Sequence, residues 1–105
     1  MDREKLTNAL KHGKIEWRRH ALERMLERDI SRKEVKLVLE KGEIIEEYKS
    51  DTPFESALFL YIDKKPIHVV ASLDEKNMII YVITAYIPDI FHFNKDLKTR
   101  KNNEK

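Results

Sequence analysis

The stretch SALFLYIDKKPIHVVASLDEKNMIIYVITAY, residues 56–86, decides the fold. It contains three runs of β-branched and aromatic residues that are typical of strands, SALFLYI (56–62), PIHVVASL (66–73) and MIIYVITAY (78–86). The connections between these runs are too short for the crossover that parallel strands need. Together with EIIEEYK (43–49), the stretch therefore predicts a four-stranded antiparallel meander.

The turns of this meander set the pairing of its strands. Lys64 and Lys65 are expected to form a two-residue loop, and the next hairpin is expected to turn across residues 74–77. The predicted opposite pairs are Tyr61 with His68, Leu73 with Met78, and Val69 with Val82.

Strict alternation then assigns each side chain to one face of the sheet. One face is apolar and should lie under the helices: Leu58, Leu60, Ile62, Ile67, Val69, Ala71, Leu73, Met78, Ile80 and Val82, continued by Thr84 and Tyr86. The other face is mixed and half covered: Phe59, Tyr61, His68, Val70, Ser72, Ile79, Tyr81, Ile83 and Ala85. A one-residue slip in the second hairpin would exchange the faces of the last strand. The assumed register is preferred because it gives one clean apolar face.

The residues before the strands have helical periodicity. We predict a first helix over about residues 2–12, closed by Gly13 in the left-handed conformation. Ile15 and Trp17 alternate with charged residues and indicate a short extended entry to a second helix, over about residues 18–28. The predicted buried face of that helix consists of Ala21, Leu22, Met25 and Leu26.

A third helix is predicted over residues 32–41. Ser31 and Glu34 form a capping box, in which each side chain accepts a hydrogen bond from a free backbone N–H, and Gly42 ends the helix. Its inner stripe is Val35, Val38 and Leu39. The predicted fold is therefore α+β, with N-terminal helices packed on a four-stranded antiparallel sheet.

Length and charge limit the possible functions only weakly. The 105 residues fit a single domain over residues 1–105, in which we expect residues 101–105 to form a frayed tail. The 21 Lys and Arg are nearly balanced by 19 Asp and Glu, which gives a net charge of +2. This balance is compatible with a nucleic-acid partner, but only clustering of the cations on one face would indicate one.

Several classes of chemistry are excluded or disfavoured. The chain contains no cysteine, which excludes disulfides, zinc thiolate sites and thiol catalysis. Gly13 and Gly42 are its only glycines, so a phosphate-binding glycine loop is absent, and the histidines and acidic residues show no metal-ligand spacing. No apolar run has the length of a signal peptide or a membrane span. We expect a cytoplasmic protein without metal, cofactor or membrane contact.

The second helix carries the first candidate site. His20, Arg24 and Arg28 follow one another at a spacing of four residues and form a stripe along one flank. Metal-independent RNA cleavage needs a base, a cation and an acid: histidine suits proton transfer near neutral pH, and arginine contacts phosphate oxygens. Tyr86 offers a phenol and Thr84 a hydroxyl at the end of the last strand. His20, Arg24, Thr84 and Tyr86 are expected to converge on a space for one phosphate.

A purely structural interpretation competes with this site. In it, His20 hydrogen-bonds a strand end and Tyr86 is a packed aromatic residue. The arginines of the stripe then pair with acidic neighbours, namely Glu23, Glu27 or Asp29.

His68 is a second candidate for contact with RNA. It is expected on the half-open face beside Tyr61, near Phe59, Tyr81, Lys64 and Lys65, where bases could stack and phosphates could bind. Alternatively, a C-terminal segment containing Ile90, Phe91 and Phe93 covers this face. The cations Lys98, Arg100 and Lys101 near the terminus are further candidates for phosphate contact.

The sequence resembles a known family. The pattern consists of HA-x-x-RM-x-x-R-x-IS-x-x-EV at 20–35, IIEEY at 44–48, PIHVV at 66–70 and ITAY-x-P at 83–88. It is similar to the DUF4258 family, whose members close with an aromatic residue, an acidic stretch and TR, matched here by Phe93, Asp96, Thr99 and Arg100. Two positions depart from the pattern: Asp29 replaces a glycine, and Phe93 replaces a tryptophan. Asp29 can adopt the left-handed conformation that the glycine would supply.

The resemblance implies a fold similar to that of RelE/ParE-like toxins, in which two helices precede an antiparallel sheet and a small antitoxin can be a partner. It suggests a toxin-type endoribonuclease of a toxin–antitoxin system. We assign proton transfer to His20, phosphate contact to Arg24 and Arg28, and an assisting role to Tyr86. Further substrate-binding candidates are His68, Thr84 and Arg100. The alternative is a non-catalytic module of the same fold that binds protein or RNA, since toxins of this fold differ in activity.

Overall fold

The α+β class is confirmed by a computed structural model, which describes residues 1–89 and 91–100. The predicted tail at 101–105 and the apolar residue at position 90 lie outside the described residues. Within them, the elements are α1 (Arg3–His12), β1 (Lys14–Trp17), α2 (Arg19–Glu27), α3 (Arg32–Lys41), β2 (Glu43–Tyr48), β3 (Ser56–Ile62), β4 (Pro66–Asp74) and β5 (Ile79–Tyr86).

The sheet has five strands rather than the predicted four. Its order is β1-β5-β4-β3-β2, with β1 parallel to β5 and the other neighbours antiparallel. The predicted extended entry at Ile15 and Trp17 is thus an edge strand. A parallel neighbour is possible here because the whole of the intervening chain forms the crossover.

Gly13 makes this parallel contact possible, although its backbone is not left-handed as predicted. Its φ is −95° and its ψ is −148°. A Cβ atom on Gly13 would lie 1.9 Å from the carbonyl oxygen of Met78. The glycine is therefore required by the close approach of two backbones, and not by a left-handed helix cap.

The register of the first hairpin differs from the prediction by one residue. Ile62 pairs with Pro66, so the loop has three residues and Leu60, not Tyr61, lies opposite His68. The shift moves every side chain of β3 to the other face. Phe59 consequently faces the helices, whereas Leu60 shares the opposite face with His68.

A bulge in β5 overturns a second part of the predicted pattern. The pairing with β4 passes from Val82 to Thr84 and leaves Ile83 as an extra residue. Because the bulge reverses the alternation, Thr84 and Tyr86 leave the helix-facing side. Tyr86 lies directly opposite His68.

The turn before β5 also differs from the predicted one. Leu73 pairs with Ile80, not with Met78. Met78 has a φ of 54° and therefore belongs to the turn, where its left-handed backbone starts the chain into β5. Val69 lies opposite Ala85 and not Val82.

The helix boundaries agree closely with the predictions. The capping box of Ser31 and Glu34 is confirmed, and Asp29 has the expected left-handed backbone with a φ of 55°. On α2, Met25 is buried as expected, but Leu26 is 85% exposed. Each residue turns the helix by about 100°, so Leu26 points well away from the face that Met25 buries.

The main core lies between the three helices and one face of the sheet. Its buried members are Leu6, Ala9, Ala21, Met25, Ile30, Val35, Val38, Leu39, Ala57, Phe59, Ile67, Val69, Ala71, Leu73, Ile80, Val82 and Ala85. The predicted stripe of α3 is confirmed within this cluster. The helices do not cover the opposite face of the sheet. The C-terminal segment, residues 91–100, packs on that face, and the candidate site lies there.

Candidate functional site

The C-terminal segment, residues 91–100, lies against the face of the sheet that the helices leave uncovered. Phe93 is 3% exposed and packs edge-on against His68, with 4.7 Å between ring centroids. Phe91, by contrast, is 79% exposed. The covering interpretation is therefore confirmed for Phe93 and wrong for Phe91.

His68 is fully buried beneath this segment, and both of its ring nitrogens have partners. Its Nε2 lies 2.7 Å from the carbonyl oxygen of Leu97, and its Nδ1 lies 3.2 Å from the hydroxyl of Tyr86. A carbonyl can only accept, so we assign the proton of the neutral ring to Nε2. Nδ1 then accepts a hydrogen bond from the Tyr86 hydroxyl.

Burial favours the neutral forms of both His68 and Tyr86. It lowers the pKa of His68, although the hydrogen bond to Leu97 opposes the shift. Burial likewise raises the pKa of Tyr86. At neutral pH the pair is therefore an uncharged imidazole and a protonated phenol.

Arg100 closes the segment onto strand β2. Its Nε donates to Oε2 of Glu46 at 2.8 Å, and a terminal nitrogen donates to Oε1 at 3.2 Å. The same carboxylate accepts a hydrogen bond from the Tyr48 hydroxyl. The guanidinium also lies over the Phe93 ring, 4.9 Å from its centroid. Arg100 is thus a fixed cation beside the buried His68 and Tyr86 pair.

The same network shifts the pKa values of its acidic members. Burial alone raises the pKa of Glu46, but the hydrogen bonds from Arg100 and Tyr48 outweigh it, so the pKa falls below its usual value. Burial and the hydrogen bond to Glu46 raise the pKa of Tyr48 to about 12. Glu46 therefore remains a carboxylate that neutralises part of the charge on Arg100.

A concavity of about 300 Å³ opens beside Tyr86. Its lining residues come from the end of α2, the end of β5 and the C-terminal segment, namely Arg28, Tyr86, Ile87, Asp89, His92, Phe93 and Arg100. We call this space the Tyr86 concavity. It brings together three residues that the sequence analysis names separately, Arg28, Tyr86 and Arg100, with His68 directly behind the phenol.

His92 supplies this concavity with an imidazole that the sequence analysis missed. Its Nδ1 lies 3.0 Å from Oδ1 of Asp89, which also accepts from the backbone N–H groups of Phe91 and His92. The hydrogen bond to His92 and the backbone hydrogen bonds lower the pKa of Asp89. The spacing D-x-x-H within a loop was the available signal, because it allows a carboxylate to orient an imidazole.

His20 and Arg24 do not join Tyr86. His20 lines a separate concavity of about 420 Å³ with Arg18, Arg19 and Ile83. Nε of Arg24 lies 3.4 Å from Nε2 of His20. A terminal nitrogen of Arg24 also lies 3.7 Å from Glu27. The structure therefore does not bring His20 and Arg24 into one cleft with Tyr86, because Tyr86 lines a different concavity that neither of them lines.

The other candidates near His68 are also displaced. Thr84 is half-buried opposite Val70 and does not line the Tyr86 concavity. Lys65, expected at a basic hairpin tip, donates to the carbonyl oxygen of Asp29 at 2.8 Å. The hairpin thus braces the corner between α2 and α3.

Two features are absent from the residues that the structure describes. Residues 1–89 and 91–100 contain no group of three or more His, Cys, Asp or Glu side chains placed to hold a metal ion. In the same residues, no helix is both long and apolar enough to cross a membrane.

Over the described residues, the protein is an α+β domain with three helices and a five-stranded mixed sheet. The chain belongs to the DUF4258 family, a domain of unknown function, whose profile matches residues 17–87. Comparison with curated proteins and with solved structures finds no match. The matched range includes Arg28, His68 and Tyr86, and it ends before Asp89, His92 and Arg100.

Proposed function

We propose that this protein cleaves RNA without a metal ion, and that cleavage occurs in the Tyr86 concavity. The observation that carries the proposal is the meeting of two guanidinium groups, a phenol and an imidazole around one open space, contributed by Arg28, Arg100, Tyr86 and His92. These are the group types that phosphodiester transesterification needs.

The proposed reaction is an internal transesterification. The 2′-hydroxyl oxygen forms a bond to the adjacent phosphorus, and the bond from phosphorus to the 5′ oxygen breaks. One proton leaves the 2′-hydroxyl and one is delivered to the 5′ oxygen. The products are a 2′,3′-cyclic phosphate and a free 5′-hydroxyl, so atoms and protons balance without a co-reactant.

Each lining residue has a role that follows from its environment. We assign removal of the 2′-hydroxyl proton to His92, because its imidazole lines the concavity and its Nδ1 is held by Asp89. Arg28 and Arg100 bind the phosphate oxygens. The raised pKa of Tyr86 keeps its phenol protonated. In the proposed reaction the hydroxyl turns its proton away from Nδ1 of His68 and donates it to the departing 5′ oxygen.

We further propose RNA as the substrate and a small antitoxin protein as a partner, because the resemblance to the DUF4258 family implies a fold similar to that of RelE/ParE-like toxins. The proposal changes the assignment of the proton-transfer group. The helical repeat favours His20 as this group, whereas the geometry favours His92, which shares a concavity with Tyr86.

A second candidate function is RNA binding without cleavage. Two observations favour it: the Tyr86 hydroxyl donates to the buried His68, and Arg100 is paired with Glu46. Both groups thus already have structural partners. In this alternative the concavity holds a phosphate but performs no chemistry.

Cleavage of a fluorescent oligouridylate by the purified protein in the presence of a chelator tests the proposal. We expect products that end in a 2′,3′-cyclic phosphate. Tyr86→Phe and Arg28→Gln should each lower the rate at least about 100-fold, the usual minimum for loss of a general acid or an oxyanion contact.

The matched control is Tyr61→Phe, because Tyr61 is a half-buried tyrosine that packs beside the main core and not at the concavity. It should leave the rate unchanged. A Tyr86→Phe variant that cleaves as fast as the wild type would expose a contaminating nuclease. Tight binding without cleavage would favour the second candidate.

A further inference from the structure

Three basic side chains follow one another along α2 and its C-terminal cap. His20, Arg24 and Arg28 are spaced by four residues, so each lies only about 40° further round the helix than the one before. The acidic residues Glu23 and Glu27 lie outside this row, toward the outer surface of the helix. We call the row of three the cationic flank.

The cationic flank connects two concavities. At its first end His20 lines the space shared with Arg18, Arg19 and Ile83, and at its last end Arg28 lines the Tyr86 concavity. From residue 20 to residue 28 the rise along the helix axis is about 12 Å. A row of basic side chains therefore leads from the concavity at His20 to the proposed cleavage site.

The groups of this flank are available to an anion. His20 and Arg28 are exposed, and the Arg24 side chain is 43% exposed. The contact between Arg24 and Glu27 is a long surface ion pair at 3.7 Å, and such pairs contribute little to stability. A phosphate can replace the carboxylate with little loss of free energy.

We propose that the cationic flank binds the backbone of single-stranded RNA and guides it into the Tyr86 concavity. This inference rests on the proposed function and moves His20 and Arg24 from catalysis to substrate binding. A single row of basic side chains matches one strand, and proteins read RNA mainly where it is single-stranded. Phosphate contacts by arginine supply most of the affinity in such complexes.

The test is the salt dependence of binding of a 2′-O-methyl oligouridylate, which lacks the nucleophile and so is not cleaved. For single strands, each lost phosphate contact lowers the slope of log affinity against log salt by about 0.7. We expect this decrease for Arg24→Gln, and a weaker affinity for His20→Gln.

The control is Lys41→Gln, which removes the same charge. Lys41 is exposed and precedes β2, at the edge of the sheet opposite to β1 and β5. It should leave the slope unchanged. If Arg24→Gln and Lys41→Gln have the same slope as the wild type, the inference is overturned.

Binding and cleavage are both measured, for the wild type, Arg24→Gln and Tyr86→Phe, so that this inference and the proposed function can be separated. If the salt dependence of RNA binding falls in Arg24→Gln but none of these proteins cleaves the oligouridylate, the binding role is supported and the enzymatic one is overturned. Normal cleavage with an unchanged slope in Arg24→Gln does the reverse. If the wild type binds no RNA at low salt, both proposals are overturned.

Discussion

The replacement Phe93→Ala tests how the C-terminal segment is attached to the sheet. Phe93 is 3% exposed, and its ring contacts His68 edge-on while Arg100 lies over it. Full burial of a phenylalanine contributes about 2–3 kcal/mol. The edge contact adds about 1 kcal/mol, and the guanidinium, which is partly exposed, about 0.5 kcal/mol.

These contributions predict that Phe93→Ala lowers the free energy of unfolding by about 4 kcal/mol, within the range of about 3–5 kcal/mol for such truncations in protein cores. The assay is urea denaturation followed by far-UV circular dichroism, with linear extrapolation to water. The same variant should lower RNA cleavage, because Arg100 would no longer be held beside Tyr86.

Phe91→Ala is a matched control in the same segment. Phe91 is 79% exposed, so its truncation should change the free energy of unfolding by less than about 0.5 kcal/mol. The reasoning is refuted if Phe93→Ala costs less than about 1 kcal/mol or if the two variants are equally stable.

Three further predictions follow from other contacts. Burial lowers the pKa of His68 below 6.5, so the unfolded chain binds this proton first as pH falls. The contribution of neutral His68 to the free energy of unfolding is thus complete above about pH 6.5 and is lost as the pH falls below this value. Urea unfolding at several pH values should therefore show a smaller loss of stability at acidic pH in His68→Gln than in the wild type. Spectrophotometric titration of Tyr48→Phe should lack a phenol that ionises near pH 12, and a Tyr48 titrating at the ordinary value would contradict the contact with Glu46. Gly13→Ala should lower the free energy of unfolding by about 1–3 kcal/mol in thermal denaturation, because its Cβ meets a backbone oxygen at 1.9 Å; an unchanged stability would argue against the parallel pairing.

The features that the sequence predicts correctly depend on local interactions. The capping box of Ser31 and Glu34 spans one helical turn, and the left-handed backbone of Asp29 depends on the side chain at that position. The strand segments are set by runs of β-branched residues. Such features need no knowledge of distant parts of the chain.

The predictions that are wrong concern strand pairing between distant residues and the alternation of side chains between the two faces of a strand. The partner of β1 lies more than sixty residues away in the sequence, at Ile79 to Val82, so four residues with a weak pattern gave no sign of it. The bulge at Ile83 reverses the two faces of β5 beyond it. A strict alternation cannot anticipate such an insertion.

The bulge also explains why the candidate site is only partly predictable. Arg28, Tyr86 and Arg100 can be named from side-chain chemistry alone. Their common location depends on the reversal at Ile83, which turns Tyr86 toward the segment that carries Arg100 and His92. A helical repeat is a clearer signal than a short loop motif, so the sequence favours His20 over His92.

The most direct test of the account is a structure of the protein with a 2′-O-methyl uridylate dinucleotide, whose single phosphodiester cannot be cleaved. The account predicts that this phosphate lies in the Tyr86 concavity, contacts the guanidinium groups of Arg28 and Arg100, and has its 5′ oxygen beside the Tyr86 hydroxyl. A phosphate bound at any other surface, with the concavity unchanged, would contradict it.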